Sequence, residues 1–297
     1  MNSKRLIDEF LYSMQYAYSR DIKTIDAYKT ALEEMQQYMF KGKDITVEDL
    51  KNVYADDFLI KWLKVKQNDK EKPLKASSLN QRISCIRSLY KWLIGRGELN
   101  LDVSKSIPTF KNTTHETKEA LTKEECWKLL DIAEEEVNKN ENYNTLRDLL
   151  ICKLFLGCGI RISEVAGLNI SCFDLDNMQL NLSNTKFNKF RSVTLPSEVI
   201  YTFTKFLAYR NDKYSHLDES MHDVLLISKK FNRLSDDQIR LDVYRLIKLC
   251  NFDKKITPHS LRHTYGTLLL ESGNSLEEVA KEMGYSNVNT LINLREK

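Results

Sequence analysis

The stretch GCGIRISEVAGL, residues 157–168, decides how this chain is read. Gly157 and Gly159 end one helix and a second begins at once, so Arg161 and Glu164 fall three residues apart at a helix start. Upstream, Thr145 to Leu156 is an apolar helical run, and Thr122 with Glu125 forms a T-x-x-E box that opens an earlier helix carrying Trp127, Leu130 and Ile132. Downstream the period changes from helical to alternating. Met178, Leu180 and Leu182 are spaced by two, as are Val193 and Leu195, which predicts a small antiparallel hairpin with TKFNKFR (185–191) at its turn. Helical patterns then return: Thr257 before Pro258 caps a helix that begins HSLRHTYGTLL (259–269), and His259 and Arg262 share one of its faces. Gly273 ends that helix, and Ser275 with Glu278 caps a last short one that stops at Gly284.

Working outward to the N-terminus, the pattern is helical throughout. Thr24–Phe40 and Ser78–Ile94 are the clearest helices; in the second, Leu79, Ile83, Ile86, Tyr90 and Leu93 line one face and Asn80, Ser84, Arg87 and Lys91 another. PTFKNTTHETK, ending at Lys118, has no apolar period and reads as a linker, which gives a first domain of residues 1–108, a linker of 109–118 and a second domain of 119–297. A length of 297 residues agrees with two domains, and 42% hydrophobic residues with only 9 Gly and 4 Pro imply folded, mainly helical ones.

Net charge is only +3, yet residues 61–96 hold ten Lys or Arg against two Asp or Glu, a local excess that would hold a polyanion; Lys64, Arg87 and Lys91 are its candidate contacts. The six cysteines form no C-x-x-C pair, and no Cys/His cluster has metal-ligand spacing, so reduced cytosolic thiols and no metal are expected. The first residues, MNSKRLIDEF, lack a signal-peptide core, and no run approaches the roughly 18 apolar residues of a membrane span. A cytoplasmic protein without a membrane partner is the expectation.

Taken together, GIRISEVAGL, TKFNKFR and HSLRHTYGTLL closely resemble, in order and setting, the Arg box, the hairpin lysine and the H-x-x-R box of tyrosine recombinases, the phage integrase family. MGYSNVNT (283–290) is similar to the segment that follows in that family, usually written LGHSSIST. The resemblance implies a helical core-binding domain followed by a mostly helical catalytic domain with a small antiparallel sheet. It also implies double-stranded DNA as substrate, a tetramer on paired sites, and cleavage through a 3′-phosphotyrosyl intermediate without a cofactor.

Physical chemistry explains why such residues would gather. Cleaving a phosphodiester develops negative charge on its non-bridging oxygens, and Arg161 and Arg262 offer planar forks of donors that stay charged at any relevant pH. By resemblance His259 is a hydrogen-bond or proton-transfer partner, and Glu164 orients the Arg161 guanidinium. Two lysines compete for the hairpin turn, Lys186 and Lys189; the family's G-K-G-N-K-x-R, laid over Thr185 to Arg191 without a gap, selects Lys186 as general acid and leaves Lys189 and Arg191 as DNA contacts. Tyr285 stands where the family has His or Trp, and its hydroxyl can still donate a hydrogen bond.

Counting from Gly284 in the family's frame places the nucleophilic tyrosine at position 294, which is Leu294 here. A leucine has no oxygen to attack phosphorus. The expectation is therefore a recombinase by descent that binds DNA without cleaving it. A recombinase-derived DNA-binding protein without strand-transfer activity is the alternative, and a type IB topoisomerase a more distant one.

Overall fold

A computed structural model of the chain describes residues 3–64, 74–111, 119–184, 189–285 and 288. The chain divides into two compact units, residues 1–116 and 117–297. It is mostly helical, with one small antiparallel sheet in the second unit. Among the described residues no helix is long and apolar enough to cross a membrane.

In the first unit, α1 (Ser3–Tyr12) runs into a π-helical turn at Ser13–Ala17, and α2 (Ile22–Phe40) starts where Asp21 accepts from the Thr24 backbone N–H. Short helices α3 (Val47–Lys51) and α4 (Ala55–Asp57) lead into a second π turn at Phe58–Leu63, and α5 (Ala76–Gly95) completes the bundle. The apolar face read from the sequence of α5 is buried as a stripe around Leu79, Ile83, Ile86, Tyr90 and Leu93, against α2 and the Phe58–Leu63 turn.

The basic excess of residues 61–96 is partly cancelled in space. Arg82 forks onto Glu34 at 2.7 and 2.9 Å, Arg96 pairs with Glu98 and Glu9, and Lys61 pairs with Asp57. Arg87 points inward along its own unit: Nη2 donates to the Ile107 carbonyl at 2.8 Å and Nε to that of Ser104 at 3.5 Å. Lys64 and Lys91 are exposed.

The second unit is built around one helix. α6 (Lys123–Lys139) carries the Thr122–Glu125 capping box and buries Cys126, Leu129, Ala133 and Val137, leaving Trp127 62% exposed. α7 (Tyr143–Cys158) is buried on all sides, its circumference mostly apolar but carrying Arg147, Asp148 and Lys153. Its buried Arg147 and Asp148 are matched to Asp242 and Arg245 of α11 (Asp236–Cys250), so the charges are not left unpaired in the core. Gly157 lies within α7, and Gly159 alone ends it in the left-handed region at φ +56°.

After the short α8 (Ile162–Gly167) come β1 (Phe173–Asp174), β2 (Gln179–Asn184) and β3 (Lys189–Thr194), antiparallel in that order, with Leu182 opposite Arg191. The alternation predicted a two-stranded hairpin; β1 is a third strand, too short to show a period. Met178, read as a strand residue, is exposed in the preceding turn at φ +53°. α9 (Ser197–Tyr214), α10 (Glu219–His222), α11, α12 (Pro258–Glu271) and α13 (Leu276–Glu282) follow. α6, α9 and α12 all pack against α7.

Candidate active site

The site begins where α7 stops. The left-handed Gly159 turns the chain sharply, and a Cβ there would lie 2.1 Å from a ring carbon of Tyr265 on α12, so no larger residue fits. Arg161 then caps α8, and Glu164 at its third position accepts from the Arg161 backbone N–H at 2.7 Å. The same carboxylate takes a hydrogen bond from Arg161 Nη1 at 2.9 Å. The cap therefore fixes backbone and guanidinium together.

Glu164 is the hub of three arginines. Arg191 of β3 forks onto it, Nη1 to Oε1 at 2.6 Å and Nη2 to Oε2 at 3.1 Å, and Arg262 Nη1 stands 4.0 Å from Oε2. Burial pushes the Glu164 carboxyl up, but the hydrogen bonds from Arg191 and from the Arg161 backbone, with both positive charges, outweigh it and hold the group below its ordinary value. Arg262 is 2% exposed, and burial draws its guanidinium below the usual arginine range, with Tyr285 and Glu164 working the other way. It remains a cation.

The turn after α13 closes this cluster from above. Three successive carbonyls each accept from a different arginine: Glu282 from Arg191 Nε at 3.2 Å, Met283 from Arg262 Nη2, and Gly284 from Arg161 Nη2 at 2.7 Å. Arg262 Nη1 donates in addition to the Gly159 carbonyl. The ring of Tyr285 lies within cation–π reach of both Arg262, 4.9 Å from its centroid, and Arg161, 5.4 Å away, and its hydroxyl accepts from Arg262 Nε at 3.4 Å. Two fixed cations flanking one aromatic ring, one deep and one 31% exposed, form a concentrated positive centre suited to an oxyanion.

The structure thus brings Arg161, Glu164, Arg262 and Tyr285 into one cluster. His259 is exposed in the first turn of α12, three residues before Arg262. Lys186 and Leu294 lie outside the described residues, and Lys189 opens β3 opposite Asn184. Arg191, expected as a DNA contact, has its fork on Glu164 inside the cluster. The strand alternation that puts Val193 inward was the available signal for this placement.

Comparison with known proteins follows the same division of the chain. The sequence pattern described as the phage integrase family matches residues 119–294, and that of the phage integrase N-terminal SAM-like domain matches residues 7–97. Tyrosine recombinase XerC of Thermodesulfovibrio yellowstonii is 27% identical over 97% of this chain and 90% of its own length. That of Listeria monocytogenes is 30% identical over 74% of this chain and 71% of its own length.

Among solved structures, the Tn1549 transposon integrase in complex with transposon right end DNA superposes with a TM-score of 0.74 at 17% identity, covering 100% of this chain and 95% of that one. XerH site-specific recombinase bound to a palindromic difH substrate gives 0.73 at 20% identity, covering 97% and 80%. Fold, site geometry and these matches lead to one conclusion: the chain belongs to the phage integrase family, the tyrosine recombinases.

Proposed function

We propose that this protein is a site-specific recombinase of DNA that seats a phosphodiester at the Arg161–Arg262 centre. The observation that carries the reading is the convergence of both guanidinia on the ring of Tyr285 under one shared carboxylate. Arg262 supplies fixed charge from the core, and Arg161 supplies donors at the accessible rim, where developing charge on the non-bridging oxygens would be met. His259, one turn earlier on α12, would handle a proton. Lys186, at the tip of the β2–β3 hairpin in sequence, would protonate the leaving 5′ oxygen. DNA as partner is supported by the similar structures solved with transposon right end DNA and with a difH substrate, and by exposed Lys64 and Lys91 in the first unit.

Leu294, at the position that the family's frame gives to the nucleophile, supports a narrower reading: the chain as it stands binds duplex DNA without forming a covalent bond to it. Incubation with a pool of nicked duplexes of randomised core, followed by native and denaturing gels, tests both parts. Retardation without a covalent adduct is expected, and Leu294→Tyr should restore an adduct. An adduct formed by the unaltered chain would overturn the narrower reading. Failure to retard any duplex would overturn DNA binding itself.

A further inference from the structure

Arg191 is placed unlike a strand residue that reaches for a nucleic-acid backbone. On β3 the neighbouring Phe190 is 80% exposed and Val193 fully buried, so alternation puts Arg191 on the inner face with Val193. Its side chain is only 15% exposed, and its stem lies flat on Gly284, where an added Cβ would sit 3.0 Å from Arg191 Cδ. Its two Nη atoms face the two oxygens of Glu164, and its Nε holds the Glu282 carbonyl.

The charge balance says what this does. Glu164, with a side chain 9% exposed, needs a cation, because a buried carboxylate left unpaired is strongly unfavourable. Three arginines surround it, and two of them, Arg161 and Arg262, are the cations that would face a phosphate. Were Arg191 absent, the carboxylate would have to be neutralised by those two, and its negative charge would oppose any incoming anion. A bidentate fork satisfies both oxygens at once, which a point charge cannot do.

We propose that Arg191 is a positioning residue of this centre, the bidentate counter-ion of Glu164, which spares Arg161 and Arg262 from neutralising that carboxylate alone and ties β3 to the turn that carries Tyr285. The inference rests on the reading of the centre as a phosphate site. It assigns Arg191 no contact with DNA.

The test uses the full chain with two probes. Inorganic phosphate is titrated while the Nε–Hε resonances of Arg161 and Arg262 are followed, and a labelled mixed-sequence duplex is titrated at several salt concentrations. Arg191→Gln should weaken phosphate by about tenfold, a change of about 1.4 kcal/mol. The double variant Arg191→Gln with Glu164→Gln, which has no carboxylate left to neutralise, should return to within about threefold of the wild type. Arg191→Lys, with one ammonium in place of a fork, should stay at least about threefold weak. The duplex salt slope should be unchanged in all three.

A fall in that slope of about 0.9 would make Arg191 a direct phosphate contact and overturn the proposal. So would a double variant as weak as Arg191→Gln, or full recovery with Arg191→Lys. Should Arg191→Gln not fold, the double variant and Arg191→Lys decide by the same criteria. If the wild type binds neither probe, the phosphate reading fails. The Arg161 resonance then still judges the counter-ion: a shift in Arg191→Gln or Arg191→Lys supports it, and an unmoved resonance overturns it.

Discussion

Arg161→Ala and Arg262→Ala, which chemistry alone would treat as equivalent losses of a phosphate donor, should differ sharply in stability. Arg262 is 2% exposed and donates to the carbonyls of Gly159 and Met283, both in the interior. Alanine leaves those two acceptors without their donor, at about 1–3 kcal/mol each, so a loss of about 2–6 kcal/mol is expected. For a unit of this size each kcal/mol lowers the melting temperature by about 2–4 °C, and a mid-range loss of about 4 kcal/mol corresponds to about 8–16 °C.

Arg161 is 31% exposed, and its removal leaves Glu164 both its fork from Arg191 and the backbone N–H. Screening by water limits that loss to about 1 kcal/mol or less. Parallel calorimetry of the two variants measures the contrast. Melting temperatures of the two within about 2 °C of one another would refute the assignment of Arg262 to both core and site. In any form of the protein that cleaves, Arg161→Ala should still lose about 10²–10³ in rate while remaining folded.

Other expectations follow from the same geometry. Glu164 has a folded-state pKa below its ordinary value, so its contribution to stability is present above the unfolded value near about 4.3 and disappears as pH falls through the lower folded one; Glu164→Gln should flatten the acid limb of a melting-temperature profile from about pH 5 downward, and an unchanged limb would count against the arginine hub. Gly159→Ala combines a left-handed backbone with a 2.1 Å approach to the Tyr265 ring, so it should cost about 2–5 kcal/mol, read as a lower urea midpoint at constant m-value. In the first unit, Lys64→Ala and Lys91→Ala should each reduce the DNA salt slope by up to about 0.9 with little change in melting temperature. Arg87→Ala should do the reverse, because its guanidinium serves the Ile107 and Ser104 carbonyls; equal slope changes in all three would refute that division.

What the sequence could and could not disclose depends on where each interaction's partner lies. Capping signals are local, and Thr122 with Glu125, Thr257 with Pro258 and Ser275 with Glu278 all mark helix starts in the structure. The buried stripe of α5 was legible for the same reason, since an i, i+3, i+4 pattern reports one face. Arg161 and Glu164 are three residues apart, so their pairing too was readable.

Arg191 was not, because its partner Glu164 lies 27 residues away and residue type alone suggests a DNA contact. Charge summed along residues 61–96 likewise missed the Glu34 that meets Arg82 from 48 residues earlier. The three carbonyl bonds to the turn after α13 leave no trace in any residue's identity, because every residue carries a carbonyl. Met178 shows the opposite failure: its apolar spacing fits a strand, but its positive φ belongs to the turn.

Those three carbonyls also order events during synthesis. Arg161, Arg191 and Arg262 leave the ribosome well before Glu282, Met283 and Gly284, the acceptors that tie them down, and the bonds close over sequence separations of 123, 91 and 21 residues. At the usual elongation rates of about 5–20 residues per second, Arg161 waits on the order of ten seconds for its acceptor. A nascent chain folded around α7 before the turn after α13 emerges would hold Arg161, Arg191 and Arg262 without those three acceptors, with Glu164 as the carboxylate they share.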